Sequence, residues 1–237
     1  MYDEDLAFVH DAGFTDLAEA AARMVLDVAG AAGGGPRLAV DLGCGGGSLA
    51  EALAEAGWDV VGFDVSPAMV ALARRRVPGG RFEVRDVLHV PLPPCDAVAA
   101  VGEVLNHACA ARGVDALDAF FRRVRRALRP GGLLLFDAAT PGRAAEGPTH
   151  AHREGRGWRV EAVAEEGEGM LVRTIDTWRA VGGAERHHRE VHRLRLLDPG
   201  DVLRRLGEAG FVAERLGGYD DYGFQPGWDG FLARSPA

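Results

Sequence analysis

The chain has 237 residues, 47% of them hydrophobic, and its 27 cationic side chains against 35 acidic ones give a net charge of -8. This length is enough to bury a sizeable core, and the acidic balance argues against a general nucleic-acid-binding surface. All 27 cations are arginines. Without lysine, Schiff-base chemistry, pyridoxal phosphate anchoring and a Walker lysine are excluded.

The cysteines Cys44, Cys95 and Cys109 are too few, and odd in number, for a disulfide framework. The first six residues are acidic and lack the apolar segment of a signal peptide. The longest apolar runs are too short to span a membrane. We therefore expect a cytoplasmic protein without a membrane partner.

Hydrophobic periodicity and capping signals predict alternating helices and strands in the first part of the chain. In chain order they are a helix over 16–28, a strand over 38–42, a helix over 48–56, a strand over 59–63, a helix from 67 to about 76, strands over 81–85 and 97–101, a helix over 114–128, a turn over 129–132 and a strand over 133–137. Glycine and proline over 30–36 separate the first helix from the first strand. Strands that alternate with helices predict a parallel sheet covered on both faces.

From residue 140 the pattern changes to closely spaced strands. They lie over 158–164, 170–178 and 189–196, and glycine turns over 166–169 and 182–183 join them, which predicts an antiparallel meander. A helix over 199–209 and strands over 212–216 and 230–234 follow. We predict an α/β, Rossmann-like, doubly wound fold, with a mostly parallel seven-stranded sheet and an inserted antiparallel β lid.

A glycine-rich loop, Gly43-Cys44-Gly45-Gly46-Gly47, follows the first predicted strand and leads into a helix. Glycines let a ligand approach the backbone, and a helix N-terminus offers free N–H groups. Asp64 ends the second strand and can accept both hydroxyls of a ribose. Asp86 follows the third strand and can reach an adenine amino group. These strand ends predict a nucleoside pocket at the carboxyl edge of the sheet.

Several segments together resemble the class I S-adenosylmethionine-dependent methyltransferases: DLGCGGG over 41–47, GFDVSPAM over 62–69, RDV over 85–87, RPGGL over 129–133 and LGEAGF over 206–211. A dinucleotide site is less favoured, because the third glycine of a G-x-G-x-x-G loop comes one place early. The resemblance implies S-adenosyl-L-methionine as the cofactor. It implies a cofactor site formed by Asp41, Gly43, Cys44, Gly45, Gly47, Asp64, Val65, Met69, Asp86, Val87 and Gly102.

The segment GEVLNH over 102–107, just past the fourth predicted strand, is similar to the corresponding segment of small-amine N-methyltransferases such as the glycine N-methyltransferase group. It differs in having Glu103 where that group has asparagine or serine. The resemblance implies that Glu103 and His107 face the transferred methyl, where they would orient or deprotonate the acceptor. The alternative stays open that Glu103 is solvated and that His107 only caps the next loop.

Three further residues are expected to contact the substrate. The N-terminal segment, with Tyr2 and His10, is predicted to fold over the cofactor, because its aromatic residues are unusual in a disordered tail. Related small-molecule methyltransferases place an N-terminal tyrosine near the methyl. Asp137, at the tip of the fifth strand, is expected to face the same cavity.

The histidines of the insertion are not expected to form a metal site. His188 and His192 point the same way along one strand, but lie about 13 Å apart at strand rise. Around His150 and His152, no acid or cysteine pair completes a ligand set. We expect these four and His187 on the surface of loops or strands.

We expect a methyltransferase that acts on a nitrogen, oxygen or carbon nucleophile of a small-molecule acceptor. A nucleic-acid acceptor is disfavoured by the acidic charge and by the absence of an Asn/Asp-Pro-Pro-aromatic run after the fourth strand. Residues 1–139 form the cofactor-binding core and an N-terminal lid segment, 140–197 the inserted substrate lid, and 198–237 the elements that complete the core sheet. In this superfamily such insertions build a substrate pocket or a dimer contact, so a homodimer stays open.

Two alternatives to methyl transfer remain. One is an S-adenosylmethionine-binding enzyme that catalyses another reaction, such as a cyclase or a decarboxylase. The other is a catalytically inactive, cofactor-binding regulator.

Overall fold

The computed structural model describes residues 2–30 and 37–236, so most of the predicted break over 30–36 lies outside the described residues. The helices are α1 (Glu4–Gly13), α2 (Asp16–Gly30), α3 (Ser48–Glu55), α4 (Pro67–Arg76), α5 (Val104–Ala110), α6 (Ala116–Ala127) and α7 (Pro199–Glu208). The strands are β1 (Leu38–Leu42), β2 (Asp59–Asp64), β3 (Arg81–Val84), β4 (Cys95–Ala100), β5 (Leu128–Ala139), β6 (Thr149–Gly155), β7 (Trp158–Gly167), β8 (Met170–Val181), β9 (Ala184–Arg195), β10 (Val212–Leu216), β11 (Gly218–Tyr219), β12 (Tyr222–Gly223) and β13 (Trp228–Arg234). Among the described helices, none is long and apolar enough to cross a membrane.

The core is a seven-stranded sheet in the order β10-β13-β5-β4-β1-β2-β3. Strand β1 pairs in parallel with β2 and β4, β2 with β3, and β4 with β5. Strand β13 is antiparallel to both of its neighbours, β5 and β10. The predicted mostly parallel sheet is therefore confirmed. The strand order reverses between β1 and β4, and ligands bind α/β sheets in the crevice at such a reversal.

An apolar layer covers each face of this sheet, as predicted for a doubly wound fold. Phe136 of β5 packs in the layer that contains Phe121 of α6. Leu135, the preceding residue of the same strand, belongs to the other layer, with Leu53 of α3. Successive side chains of a strand point to opposite faces, so a continuous apolar run is what a strand buried on both sides requires.

Four helices, α2, α3, α4 and α7, begin where the sequence predicts, and in two of them a side-chain cap explains the start. Pro67 opens α4, and the Ser66 hydroxyl accepts a hydrogen bond of 3.3 Å from Met69 N. Pro199 opens α7, and the Asp198 side chain caps it in the same way. Both starts are set by neighbours in sequence, which is why local signals find them.

Three features near the fourth and fifth strands differ from the prediction. Helix α5 was not predicted, and the helix predicted to end at Leu128 ends one residue earlier. The turn predicted over 129–132 lies inside β5, as an irregularity where Gly131 has φ 76° and the pairing with β4 shifts register. Pairing with β4 and β13 on either side extends β5 beyond its apolar centre.

The insertion is a four-stranded antiparallel sheet in the order β6-β7-β8-β9. This confirms the predicted meander and adds β6, which was missed because all of its residues are exposed and none alternates with a buried one. Two further strands, β11 and β12, were also missed, and they pair as a short antiparallel ribbon.

Helix α1, which was not predicted as a helix, packs on the inserted sheet. Asp3 caps its start and accepts hydrogen bonds from the backbone N–H groups of residues 5 and 6. Leu6 and Val9 pack against Val160 of β7 and Ile175 of β8. The N-terminal segment is thereby fixed over the inserted sheet.

Candidate active site

A cavity of about 1280 Å³ opens at the carboxyl ends of the parallel strands. Its walls come from the loops after β1, β2, β3 and β4 on one side, and from α1 and the inserted sheet on the other. Pockets for one small molecule are typically about 300–1,000 Å³. The cavity therefore has room for a cofactor and an acceptor together.

The glycine-rich loop after β1 brings its backbone to this cavity. Gly43 and Gly45 line it and have positive φ angles of 72° and 51°. The N–H groups of Gly43 and Cys44 both donate to Phe63 O, at 2.7 and 3.0 Å, which holds the loop against the end of β2. Among the described residues, a Cβ placed on Gly45 would meet nothing nearer than Met69 Sδ at 4.0 Å, so this glycine borders open space.

Two residues of the loop have structural surroundings that the resemblance did not indicate. A Cβ on Gly47 would lie 3.0 Å from Ala73 Cα, so this glycine allows α3 to approach α4 and does not line the main cavity. Cys44 is buried and lines only a smaller recess beside the loop. Neither residue lines the main cavity, and their cofactor contacts stay a prediction.

Asp64 organises the loop after β2. Its carboxylate accepts hydrogen bonds from Gly45 N at 3.0 Å and from Ser66 N at 2.8 Å. Burial raises the pKa of Asp64, and these backbone hydrogen bonds oppose that effect. The loop also includes Val65, which is 47% exposed and lines the cavity, and Met69 follows in α4 as a further lining residue.

Asp41, at the end of β1, is a buried carboxyl group beside the glycine-rich loop. Its Oδ2 has no hydrogen-bond partner among the described residues. Burial and the nearby Asp64 raise the pKa of Asp41 to about 7. Such a group favours a ligand that brings a cation.

Asp86 and Val87 line the cavity just after β3. The Asp86 carboxylate accepts a hydrogen bond from Leu88 N at 2.9 Å and pairs with Arg112 at 2.7 Å. Burial raises the pKa of Asp86, but its hydrogen bonds and Arg112 outweigh burial, and the net shift is downward. The Asp86 carboxylate is thus available as an ionised hydrogen-bond acceptor where the adenine of the cofactor is predicted to lie.

Glu103 lies at the opposite end of the cavity, directly after β4. It is only 5% exposed, so the alternative of a solvated side chain is wrong. Its Oε2 accepts a hydrogen bond of 2.9 Å from Arg173, and Arg143 lies 3.7 Å from Oε1. Burial raises the pKa of Glu103, but the two arginines outweigh burial and hold the pKa below its ordinary value.

The backbone of Glu103 is strained. Its φ of 61° is unusual for a residue with a side chain, and it follows Gly102 at φ 92°. Strained backbone persists where surrounding contacts fix it, and it is concentrated at functional sites.

Asp137 holds this strained turn in place through hydrogen bonds to its backbone. Its carboxylate accepts hydrogen bonds from Gly102 N and Glu103 N, both at 2.8 Å, from Trp228 Nε1 at 2.9 Å and from the Tyr219 hydroxyl at 3.2 Å. Burial raises the pKa of Asp137 to about 6. The side chain is completely buried and does not line the cavity, so the expectation of a substrate contact is corrected to a positioning role.

Asn106 is a positioning residue that the sequence analysis missed. Its Nδ2 donates to Ala139 O and Arg195 O, both at 2.7 Å, and its Oδ1 accepts from Ala139 N at 3.0 Å. These bonds tie α5 to β5 and to the end of β9. The one signal in the sequence is an amide side chain about one turn after a strand end. This signal was not enough to identify Asn106, because its hydrogen-bond partners are distant in sequence.

His107 lies on α5 and lines the cavity. Burial and the neighbouring His192 lower its pKa to about 4, so the imidazole is neutral at pH 7. The two imidazole rings lie 5.4 Å apart. His107 therefore belongs to the cavity wall and is not only a loop cap.

Tyr2 and His10 of the N-terminal segment both line the cavity. Their rings lie 5.2 Å apart in an edge contact, and Tyr2 O accepts a hydrogen bond of 2.9 Å from Ser66 Oγ. Burial raises the pKa of Tyr2 to about 12 and lowers that of His10 to about 4. Both side chains are thus neutral at pH 7.

Of the five histidines of the insertion that were predicted on the surface, His192 is the one for which the prediction was wrong. It is 4% exposed and lines the cavity, because the ring of Tyr2 and the ring of His107 on α5 pack against it. The other four, His150, His152, His187 and His188, are exposed as predicted.

One group of metal-ligand type occurs in the described part of the chain. The ligand atoms of Asp3, His188 and Glu190 lie within 4.8 Å of one another. His188 pairs with the Asp3 carboxylate, and Asp3 N donates to Glu190 Oε1 at 3.0 Å. These contacts fasten the start of α1 to β9. The expectation of no metal ligand stays a prediction.

The residues around the cavity fit S-adenosylmethionine in three respects. The open space at Gly45 admits a ligand against the backbone. Asp41 lines the smaller recess beside the loop and not the cavity itself, and its buried Oδ2, which has no partner among the described residues, suits the cationic amino group of the cofactor. The carboxylate of Asp64, at the end of β2, suits ribose hydroxyls.

Comparisons with known proteins agree with this geometry. Residues 39–132 match a family described as a methyltransferase domain. Trans-aconitate 2-methyltransferase of Methylobacterium nodulans is 40% identical over 107 residues, which cover 42% of this chain and 37% of that protein. A ubiquinone biosynthesis O-methyltransferase of Sinorhizobium fredii is 36% identical over 100 residues, which cover 40% of this chain and 38% of that protein. The chain thus spans less than two fifths of the length of these curated relatives.

Solved structures match over nearly the whole chain. The sugar N-methyltransferase KedS8 from Streptoalloteichus sp ATCC 53650 has a TM-score of 0.78 at 26% identity and covers 100% of this chain and 94% of its own. An S-adenosylmethionine-dependent methyltransferase from Clostridium acetobutylicum ATCC 824 has a TM-score of 0.81 at 16% identity and covers 98% of both chains.

Fold, site and comparisons agree with a class I S-adenosylmethionine-dependent methyltransferase, and they support S-adenosyl-L-methionine as the cofactor. Residues 39–132, which carry most of β1 and extend to the start of β5, match the methyltransferase-domain family. The resemblance stated from the sequence motifs is therefore confirmed.

Proposed function

We propose that the protein transfers a methyl group from S-adenosylmethionine to the amino nitrogen of a small polar molecule, such as an amino sugar. The observation that carries this proposal is the state of Glu103. Its carboxylate is held ionised beside Arg173, and its buried Oε1 has no hydrogen-bond partner among the described residues. An acceptor that brings an N–H donor satisfies that oxygen. The likeness to the sugar N-methyltransferase KedS8 supports the same acceptor class.

The cofactor, when bound, supplies a methyl group on a positively charged sulfonium. We assign its ribose hydroxyls to Asp64, its amino group to Asp41 and its adenine to Asp86 and Val87. Gly43, Gly45 and Gly102 give it close backbone approach, because they line the cavity without side chains. Val65 and Met69 cover it from the side of α4.

The chain's own residues contribute position and protection from water. Glu103 orients the acceptor nitrogen, and alignment of two reactants is worth several kcal/mol of the barrier, on the order of 7–11 in the best cases. His107 is neutral and contributes a hydrogen bond, whichever ring nitrogen bears its proton. Tyr2 and His10 close the cavity above these groups.

We assign residues 140–197 to the acceptor lid, residues 1–139 to the cofactor core with its N-terminal cover, and residues 198–237 to the completion of the core sheet. Arg173 and His192 of the insertion line the cavity, which favours an acceptor site over a dimer contact. A homodimer stays a prediction, to be checked by sedimentation. Three buried free cysteines suit a reducing compartment such as the cytoplasm. We propose no nucleic-acid partner, in keeping with the net charge of -8.

The test is product analysis with amino sugars, amino acids and the matched hydroxy sugars, each incubated with protein and S-adenosylmethionine. We expect an N-methylated amino sugar and an equal amount of S-adenosylhomocysteine, with no methylation of the hydroxy sugars. A rearranged or decarboxylated acceptor without S-adenosylhomocysteine would identify the non-methylating enzyme. Cofactor binding without any product would identify the regulator.

A further inference from the structure

His192 is placed in the cavity by the pairing of β8 and β9. It lies directly opposite Arg173 in the antiparallel register, so the two side chains share one face of the inserted sheet. That face looks on the cavity, which both residues line. Because Arg173 pairs with Glu103, His192 lies in the same cluster as the residue assigned to the acceptor.

The His192 ring is held by a carboxylate. Its Nε2 lies 2.9 Å from Glu190 Oε2, and the other oxygen of Glu190 accepts a hydrogen bond of 3.0 Å from Asp3 N. Burial raises the pKa of Glu190, but its hydrogen bonds outweigh burial, and the net shift is downward. An ionised Glu190 requires the proton of a neutral His192 to be on Nε2.

This tautomer leaves a lone pair on the second ring nitrogen. His192 Nδ1 is buried and has no hydrogen-bond partner among the described residues. His192 itself lines the cavity. A cavity histidine that is oriented by a carboxylate through one nitrogen, and whose other nitrogen has a free lone pair, has the arrangement of a general base. Nothing in the sequence pattern singled out Glu190 or His192 for this role.

The neighbouring titratable groups are each poorly suited to act as the base. The Tyr2 ring lies 5.2 Å from the His192 ring, and burial raises the pKa of Tyr2 to about 12. His107 lies 5.4 Å away with its pKa lowered to about 4, which makes it a weak base. Glu103 is paired with Arg173, so its basicity is reduced as well.

We propose that His192 is the general base of the methyl transfer and that Glu190 is the positioning residue that fixes its tautomer. This inference rests on the proposed function. The acceptor's ammonium N–H bond breaks, its proton moves to His192 Nδ1, and the electron pair of that bond stays on the acceptor nitrogen as the lone pair of the nucleophile. Glu190 then stabilises the imidazolium that forms.

The first test needs no acceptor. Imidazole nitrogen NMR of the protein bound to S-adenosylhomocysteine is compared with that of His192→Gln, which assigns the His192 signals. We expect protonated Nε2 and unprotonated Nδ1 at pH 7.5, and loss of this tautomer preference in Glu190→Gln. A proton on Nδ1 in the neutral ring overturns the proposal, whether or not an acceptor is known.

The second test is single-turnover methylation of the amino sugar at saturating cofactor, across pH. We expect His192→Gln to slow the transfer by about 10²–10⁴-fold, with recovery at high pH as the amine loses its proton unaided. Glu190→Gln should give a smaller loss with a shifted pH profile. His187→Gln, an exposed histidine of the same strand, is the matched control and should keep the wild-type rate.

Wild-type rates in His192→Gln would overturn the role of base, even with the expected tautomer. A loss of rate that is equal at every pH would overturn it too, because it would mark His192 as an orienting group. If no amino sugar is methylated, the proposed function fails, and the NMR result alone decides the state of the His192–Glu190 pair.

Discussion

Glu103 Oε2 accepts a hydrogen bond of 2.9 Å from Arg173 Nη2, although the two residues are 70 positions apart in the chain. Glu103 lies in the turn after the fourth strand of the parallel sheet, and Arg173 lies on the inserted sheet. Their side chains are 7% and 21% exposed, so the pair is largely buried. The contact therefore links the cofactor core to the lid at the point where we place the acceptor.

This pair should show strong coupling in a double-mutant cycle. Removing one partner leaves a buried charge uncompensated, so we expect Glu103→Gln and Arg173→Met each to lower the free energy of unfolding by about 3 kcal/mol. The double variant should lose less than the sum, with a coupling of at least about 1 kcal/mol. Guanidinium unfolding at pH 7 measures all four proteins. Additive losses would show that the ion pair contributes nothing beyond its separate side chains.

Asp64 should dominate cofactor affinity. Because we assign two ribose hydroxyls to its carboxylate, Asp64→Ala should weaken S-adenosylmethionine binding by about 2–4 kcal/mol, which is about 30- to 1,000-fold. Asp59→Ala changes the exposed first residue of the same strand and is the control. Calorimetry in which both variants bind like the wild type would remove the central assumption about this pocket.

Gly45 should admit no side chain when the cofactor is bound. Gly45→Val would place a branched side chain in the open space that faces the cavity, so we expect no measurable S-adenosylmethionine binding. Gly57→Val is the matched control, because Gly57 also has a positive φ, of 84°, and nothing lies within 4 Å of a Cβ there. Both variants should have similar circular dichroism and melting temperatures. Retained binding in Gly45→Val would show that the cofactor lies elsewhere.

Cofactor affinity should depend on the ionisation of Asp41. Its pKa of about 7 in the free protein means that a cationic ligand must displace a proton near pH 6. We therefore expect affinity to rise from pH 5 to pH 8, with proton release measured by calorimetry in buffers of different ionisation enthalpy. Asp41→Asn should bind more weakly at pH 8 and should show a flatter pH dependence.

The same group predicts how the stability of the free protein changes with pH. The folded-state pKa of Asp41 lies above the ordinary value of 3.8, so the folded state binds the proton more tightly than the unfolded chain. Its contribution to stability is therefore full below about pH 4 and is lost as the pH rises to about 7. Guanidinium midpoints of the wild type and Asp41→Asn should diverge over that range. Parallel midpoints would place the titration on another group.

Local sequence signals were enough to bring Gly43, Gly45 and Asp64 to the cavity. Gly43, Gly45 and Asp64 act through their own backbone and their immediate neighbours, and Ser66 caps the helix that follows it. The order of strands and helices then fixes which loops meet, because parallel strands end at one edge of the sheet. This is why Asp86 was also placed correctly at the cavity.

The acceptor half depends on contacts between distant parts of the chain. Asp137 was expected to face the cavity, but Trp228 and Tyr219 cover it and use its carboxylate. His192 was expected on the surface, because most of β9 is polar and exposed, whereas in the structure the rings of Tyr2 and His107 pack against it.

The sequence by itself determined the doubly wound core, the glycine-rich loop and the acids at the ends of β1 and β2 and after β3. Periodicity, helix capping and strand ends depend on residues that are neighbours in the chain, so local patterns predict them. Only the tertiary structure decided that Glu103 is ionised between two arginines and that Glu190 orients His192. The charge and tautomer of a buried group are set by whatever surrounds it in space. Those surroundings here come from α1, α5 and the inserted sheet, which lie far apart along the chain.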